Sequence, residues 1–472
     1  MVEQAQTLKP PIQRIADVIS SYFTPVVLVL AVAVFAAWCA AGGSGSVDTD
    51  GLHFVPFALQ FSITVLVVSC PCAIGLASPT AIMVGTGVAA RKGILFKGGP
   101  AVEACHKVNV LIFDKTGTLT VGKPTVTDCE FLDDSVDAET FWHVVGSAES
   151  ASEHALARAI VEHAKQQPGP PLVEPEDFEA VPGQGMSCSV GGWRVLVGNR
   201  KFVTEQVSIP EEAESNAREL EQQGKTVIWV LLNEQLAGYV ALADSARPEA
   251  HAVVRQLQQM GIEVWMVSGD NTRTVNAIAA QLGIDNAIGD VLPGGKADKV
   301  RELQAQQRPG RWWRLWRKHR TVVGMVGDGV NDSPALTQAD AGMAVGAGTD
   351  IALQAADVVL VKSDMRDILL ALHLSRTTFR RILINFGWAF LYNATAIPLA
   401  AGVLYPATAY AFPPAIAGLS EIVSTLPVLF SSLLLRCYRM PRSVKAFYAE
   451  DERETWLQTC FPCLGARTAT RR

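Results

Sequence analysis

The first place in this sequence where chemistry can be read is an aspartate closing a short apolar run. Val108 to Phe113 is apolar and partly β-branched, as a buried parallel strand is, and it leads into Asp114-Lys115-Thr116-Gly117-Thr118. A carboxylate on such a turn can attack phosphorus and become an acyl phosphate. Attack on a triphosphate needs a divalent cation, because the two anions repel each other. Asp328 and Asp332, in Gly-Asp-Gly-Val-Asn-Asp, offer the hard oxygen ligands that magnesium prefers. Lys296, behind Pro293, can neutralise the transferring group, and Ser268 with the Gly269 backbone can donate hydrogen bonds to it.

A second reactive set lies upstream, where Cys70-Pro71-Cys72 interrupts an apolar stretch. Proline removes a backbone donor and breaks a helix, so carbonyls are exposed and both sulfurs turn inward. Thiolates select soft ions such as copper(I), silver(I), cadmium or zinc. Groups of this kind at membrane depth tend to mark a pathway. A buried cysteine is ordinarily a small hydrophobe, as Cys39 is read here. Two of them flanking a mid-span proline, roughly forty residues before Asp114, read as ligands.

Such residues need a membrane part and a water-facing part to hold them. A chain of 472 residues suggests two or three folded units. The 49% of hydrophobic residues are concentrated near the two ends. Four stretches, Val18 to Ala41, Phe54 to Val84, Ile382 to Val403 and Pro413 to Leu435, reach the roughly 20 residues that cross a bilayer as a helix. The start, Met1 to Arg14, is polar and unlike a secretory signal. Lys and Arg cluster beside the spans at Arg91, Lys92, Arg376, Arg380, Arg381, Arg436 and Arg439, whereas Gly42 to His53 and Leu404 to Ala411 carry none. By the positive-inside rule both ends and the large middle segment are cytosolic. A net charge of −6 is small for this length and suggests no polyanion partner, so no nucleic acid is expected as one. Nine cysteines, most of them on the reducing side, argue against a disulfide framework.

The strand pattern before Asp114 recurs twice: Ile262 to Val267 runs into Ser268-Gly269-Asp270, and Thr321 to Val326 into Gly327-Asp328-Gly329. Strands alternating with helices predict a doubly wound α/β domain with its ligands beyond the carboxyl ends of the strands. Asp114, Asp270 and Asp328 all fall on that edge. Between Asp128 and Gly238 a helical stretch from Ala138 to Gln166, a Pro-rich break and alternating strands from Gly191 onward read as an inserted nucleotide domain. The Trp/Arg-rich run from Gln307 to Arg320 reads as a surface loop, and Cys460-Phe461-Pro462-Cys463 as an inert or lipidated tail.

A lone aspartate after a strand is usually a turn residue, but three strand-end motifs in this order are specific. They resemble the P-type ATPases, members of the haloacid-dehalogenase-like superfamily, and Cys-Pro-Cys resembles their heavy-metal branch. The resemblance implies a multi-pass α-helical membrane protein with a cytosolic α/β haloacid-dehalogenase-like phosphorylation domain and an inserted α+β nucleotide-binding domain. The expected layout is a lead-in over 1–17, two spans over 18–90, a phosphorylation domain over 91–127 and 239–375, a nucleotide domain over 128–238, two spans over 376–436 and a tail over 437–472.

The implied catalytic set is Asp114, Lys115, Thr116, Ser268, Gly269, Asp270, Lys296 and Asn331, with Asp114, Asp328 and Asp332 around magnesium. Ser268 stands where the family carries threonine, and the hydroxyl is retained. Glu149, Ser152-Glu153-His154, Gly183-Gln184-Gly185 and Gly198-Asn199 resemble the family's nucleotide set, placing Glu149 and His154 near the adenine of ATP. Gly183 and Gly185 allow close backbone approach, and Asn199 joins them. His154-Ala155 replaces the family's His-Pro, leaving that helix start less constrained. Along the ion path the resemblance adds Tyr392-Asn393 in the third span. In the fourth, Glu421 falls where copper(I) pumps carry methionine, with Ser424 nearby. A carboxylate favours a harder or divalent ion, and some fungal copper and cadmium exporters look similar here. The implied function is ATP-driven export of a soft heavy-metal ion, copper(I) ahead of cadmium and then zinc, with a cytosolic metallochaperone as candidate partner. The resemblance runs from Pro11 to Arg436 without an upstream Thr-Gly-Glu loop, so an N-terminally truncated pump is expected. The alternative is a non-pumping membrane protein that binds nucleotide and metal; a soluble phosphatase conflicts with the four spans.

Overall fold

The computed structural model describes residues 10–440 apart from 50–51, 134, 153, 182, 309–318, 329–331 and 347–353. The chain divides into two compact units, one formed by residues 1–107 and 370–472 and the other by 108–369. Most of the Trp/Arg-rich run and the Cys460 to Cys463 tail lie outside the described residues.

The first unit is helical: α1 (Pro11–Gly43), α2 (Phe54–Val68), α3 (Cys72–Ala90), α4 (Arg366–Ala400, entering from the other unit) and α5 (Pro414–Leu433). Among the described residues four stretches are long and apolar enough to cross a membrane: Pro11–Gly43, Phe54–Ala90, Arg366–Ala400 and Ile416–Cys437. Val26, Val29, Val32, Leu391, Leu419 and Phe430 are exposed, as suits side chains meeting lipid. The second span is two helices, α2 and α3, parted at Ser69 to Pro71, because Pro71 cannot continue the ladder. Helix α4 has 35 residues, or about 52 Å at 1.5 Å per residue, far more than a bilayer core of about 30 Å.

The spans are pinned at one end by aromatics. Trp38 stacks on Phe61 at 4.6 Å and meets Tyr405 edge-on, and its indole N–H donates to the Ala401 carbonyl at 2.9 Å. Gly402 turns there with φ +82, and a Cβ would lie 2.6 Å from the Phe61 ring. At the other end, small residues let helices close: a Cβ on Gly85 of α3 would lie 2.4 Å from Thr378 Oγ1 of α4.

Among the described residues the second unit holds two large sheets and a short antiparallel pair, Gln307–Arg308 with His319–Arg320, which brackets the Trp/Arg-rich run. In chain order its strands in the two large sheets are β1 (Val110–Asp114), β2 (Thr125–Phe131), β3 (Glu176–Val181), β4 (Gly185–Val190), β5 (Trp193–Gly198), β6 (Thr226–Leu232), β7 (Gln235–Ala243), β8 (Glu263–Val267), β9 (Asn286–Ile288), β10 (Val323–Gly327), β11 (Ala341–Val345) and β12 (Val358–Leu360). Six run parallel in the order β12-β11-β10-β1-β8-β9. Non-sequential neighbours joined through helices make this the doubly wound sheet that the strand–helix alternation predicts. Its core is Val110, Ile112, Val267, Val300, Val323, Met325 and Leu336. The other six form an antiparallel sheet in the order β2-β7-β6-β5-β4-β3. The insertion leaves and returns through adjacent strands, β2 and β7. The helical stretch expected from Ala138 to Gln166 is two helices, Ala138–Glu149 and Ala155–Ala164, and the strands begin at Glu176 rather than Gly191.

Candidate phosphorylation centre and ion path

Pairing of β1 with β8 and β10 fixes the site. Asp114 lies opposite Val267 and Phe113 opposite Val326, so Asp114, Ser268 and Asp328 emerge together at the carboxyl edge. Carboxylate oxygens of Asp114, Asp328 and Asp332 lie within 4.8 Å of one another. Two glycines make that possible. The chain turns at Gly117 with φ +74, where a Cβ would overlap Asp328, and a Cβ on Gly327 would lie 2.4 Å from Asp332 Oδ2.

Three carboxylates this close demand positive charge. Lys296 supplies one, its Nζ donating at 2.6 Å to Asp114 Oδ1 and at 2.6 Å to Asp332 Oδ1. Burial pulls the Lys296 ammonium down, but the two carboxylates outweigh it and hold its pKa above the ordinary lysine value. Burial, with Asp114 beside it, pushes Asp328 up to about 6, and the same causes raise Asp332. A donor set of clustered oxygens whose charged forms are disfavoured in isolation fits a hard divalent cation.

Around this centre, Lys115 donates to the Asp270 carboxylate, and its burial lowers its pKa. Ser268 is 2% exposed, and its hydroxyl accepts from the Asp270 N–H at 3.2 Å. Thr116 is half-buried in the turn after Asp114. Gly269 follows Ser268 on the same edge, where a Cβ would come 3.3 Å from the Val291 carbonyl. Asn331 lies outside the described residues.

Sequence reasoning does not single out Asp244 and Arg247. Asp244 accepts from the Thr120 hydroxyl and, at 3.0 Å, from the Gly122 N–H. Arg247 donates to the Gly117 carbonyl at 2.8 Å and the Thr120 carbonyl at 3.1 Å. Their one signal in the sequence is position, immediately after β7 brings the insertion back.

In the insertion, Glu149 ends its helix 6% exposed, and burial raises its carboxyl to about 7. His154 is exposed, and its Nδ1 accepts from Leu156 N–H at 3.3 Å, capping the next helix. Asn199 ties the loops together: its amide donates to the Gly183 carbonyl at 2.9 Å while its oxygen accepts from Phe202 N–H. Gly183 has φ +74, and a Cβ on Gly185 would be 2.3 Å from the Val197 carbonyl. Gly185 is thus required by strand packing.

In the helical unit, the break at Pro71 brings Cys70 and Cys72 together with Glu421 of α5, their ligand atoms within 4.8 Å of one another. The structure records the two cysteines bonded to each other. Among the described residues this is one local pair rather than a framework, and it arises because the break points both sulfurs at one spot. Soft-ion binding needs the reduced pair. Ser424, one turn from Glu421, is 2% exposed with its hydroxyl unpartnered among the described residues. Asn393 is 5% exposed; its amide donates to Ala389 O at 3.1 Å and its carbonyl oxygen has no partner among the described residues. Ala389, one turn away, packs with Ala73, Ile74 and Ala77 of α3. Tyr392 instead shares a 2.8 Å hydrogen bond with Ser420.

Fold and site together define a membrane protein with a haloacid-dehalogenase-like α/β domain that gathers three carboxylates and a lysine at one sheet edge. A family model described as a haloacid dehalogenase-like hydrolase matches residues 108–340. A probable copper-transporting ATPase of Arabidopsis thaliana is 44% identical over 94% of this chain and 44% of its own length. A copper-exporting P-type ATPase of Staphylococcus saprophyticus is 43% identical over 92% of this chain and 50% of its own. The crystal structure of a zinc-transporting PIB-type ATPase in the E2.Pi state matches with a TM-score of 0.63 and 29% identity, covering 92% of this chain and 66% of that one. The chain is a homologue of the heavy-metal P-type ATPases and a multi-pass membrane protein. It spans about half the length or less of the curated relatives named here.

Proposed function

We propose that this chain carries the phosphorylation site and ion path of an ATP-driven exporter of a soft heavy-metal ion, copper(I) first, working through an aspartyl-phosphate on Asp114. The observation that carries the reading is the convergence of Asp114, Asp328, Asp332 and Lys296 at one sheet edge in a chain that also gathers Cys70, Cys72 and Glu421 at a helix break.

Asp114 attacks the γ-phosphorus of ATP, an oxygen–phosphorus bond forming as the bond to ADP breaks. Magnesium held by Asp114, Asp328 and Asp332 would screen the charge of the triphosphate. Lys296, already on Asp114, is placed to follow the negative charge onto the phosphoryl oxygens, and Ser268 can donate its hydroxyl there. Lys115 and Asp270 hold each other at the rim of the site, and Thr116 shapes the turn. Asn331 completes the proposed set from its place in the motif. We assign the insertion the nucleotide, with Glu149 and His154 near the base and Gly183, Gly185 and Asn199 forming the loop that receives it; residues 128–238 are its proposed extent. Cys70, Cys72, Asn393, Ser424 and Glu421 would pass the ion, with Tyr392 beside them, and a cytosolic metallochaperone would deliver it.

Glu421 favours a second cargo. A carboxylate beside two thiolates suits a divalent ion better than copper(I), so cadmium or zinc is the alternative. The test is phosphorylation from labelled ATP with magnesium, run across copper(I), silver(I), cadmium and zinc. An acid-stable, hydroxylamine-sensitive label that appears with the cargo ion and vanishes in Asp114→Asn is expected. A label persisting in that variant overturns the assignment. A chain that binds nucleotide and metal but never labels is the non-pumping alternative.

A further inference from the structure

One guanidinium in the second unit does more than brace the acceptor turn. Arg247 follows the insertion's return strand and spreads three of its N–H groups over three carbonyls. Nη2 reaches Gly117 at 2.8 Å, Nε reaches Thr120 at 3.1 Å, and Nη1 reaches Ser363 at 2.6 Å. Its own N–H donates to the Leu119 carbonyl at 2.9 Å. Gly117 and Thr120 belong to the turn that carries Asp114. Ser363 belongs to the segment that leads into α4.

From Ser363 the path to the helix is short and stiff. Asp364 accepts from the Arg366 N–H at 2.9 Å and grips the same residue's guanidinium through both oxygens, at 2.9 Å from Nε to Oδ1 and 2.9 Å from Nη2 to Oδ2. Met365, Ile368 and Leu369 are fully buried. The helix that starts here is the one that carries Tyr392 and Asn393.

We propose that Arg247 is a positioning residue that ties the acceptor turn to the root of α4, so that a phosphoryl group on Asp114 is felt where that helix begins. This rests on the phosphorylation reading above and deepens it. The guanidinium suits the task because its planar fork serves three acceptors at fixed angles, whereas a lysine ammonium is a point charge on a flexible stem. A shift of the Gly117 and Thr120 carbonyls must drag the fork or break it. Through the fork it moves Ser363, and the Asp364–Arg366 pair passes the displacement into the first helical turn.

The test is amide hydrogen exchange on the full chain in detergent or nanodiscs, with and without magnesium and beryllium fluoride, a mimic of the aspartyl-phosphate. In the unsubstituted protein, amides of 115–122 and of 364–369 are expected to slow together, by about tenfold. In Arg247→Lys the first segment should still slow and the second should not. Asp364→Ala, which leaves Arg247 in place and cuts the link further on, should give the same split and keeps the test valid if the lysine variant folds poorly. A residue with a merely structural role would speed exchange without separating the two responses. The proposal is overturned if 364–369 responds equally in both variants, or if the response of the unsubstituted protein stays within 115–122. No response in either segment removes the phosphorylation reading itself, and the tie falls with it.

Discussion

Side chains at the proposed phosphorylation centre are held close by what is missing from their neighbours. Gly117 sits at φ +74 with Asp328 occupying the space a Cβ would take. Gly117→Ala is therefore expected to cost roughly 1–2 kcal/mol for the left-handed backbone and to displace Asp328 as well. Thermal unfolding should show the first effect, and a raised magnesium requirement for labelling the second. Glu149 allows a pH test away from the proposed magnesium site. Burial raises its carboxyl from 4.5 to about 7, so the folded chain holds a proton there that the unfolded chain releases at lower pH. Its contribution to stability is full below about 4.5, declines as pH rises to about 7, and is flat above that, a loss on the order of 3 kcal/mol. Glu149→Gln should flatten this slope in thermal melts of the second unit; an unchanged slope would assign the titration to another group.

Among the elements, α3 and α4 depend on close approach. Gly85 faces Thr378, whose Oγ1 lies 2.4 Å from where a Cβ would be. Gly85→Ala is expected to destabilise the helical unit by about 1–3 kcal/mol, and Thr378→Ala should recover most of it in the double variant. If the paired change recovers nothing, the two helices do not meet through this contact. The same helices carry Asn385, whose amide donates to Ser432 at 2.9 Å and to the Ala77 carbonyl at 3.3 Å. Hydrogen bonds of this kind between spans contribute about 0.6 kcal/mol on average, so small residues rather than polar ones set this packing. The split of the second span at Pro71 is what allows two sulfurs and the Glu421 carboxylate to share one point. Glu421→Met should move the preference of metal-stimulated labelling toward copper(I) and away from cadmium and zinc. An unchanged preference would leave this carboxylate outside the choice of ion.

At the scale of the whole molecule, chemistry at Asp114 and ion binding at Cys70 and Cys72 are proposed to be one machine. Cys70→Ser or Cys72→Ser should abolish metal stimulation of labelling at Asp114 while leaving the folded second unit intact by circular dichroism; stimulation that survives would remove these thiols from the path. The sequence by itself determined the elements: buried strands ending in Asp114, Ser268 and Asp328, four apolar stretches, and a proline between two cysteines. These follow from local pattern, because a run of apolar residues must be buried and a proline must break its helix wherever the chain goes. The split of the Ala138 to Gln166 helix and the start of the insertion's strands at Glu176 were less legible, since helix ends and strand limits depend on packing partners. Only the tertiary structure decided that Lys296 reaches both Asp114 and Asp332, that His154 caps a helix, that Glu149 is buried, and that Arg247 joins carbonyls of the acceptor turn to that of Ser363. The Lys296 and Arg247 contacts join residues far apart in the chain, and only the register of the sheets and the course of the loops bring them within a hydrogen bond's length; the His154 cap is local, but which helix start it serves is fixed by where the chain turns.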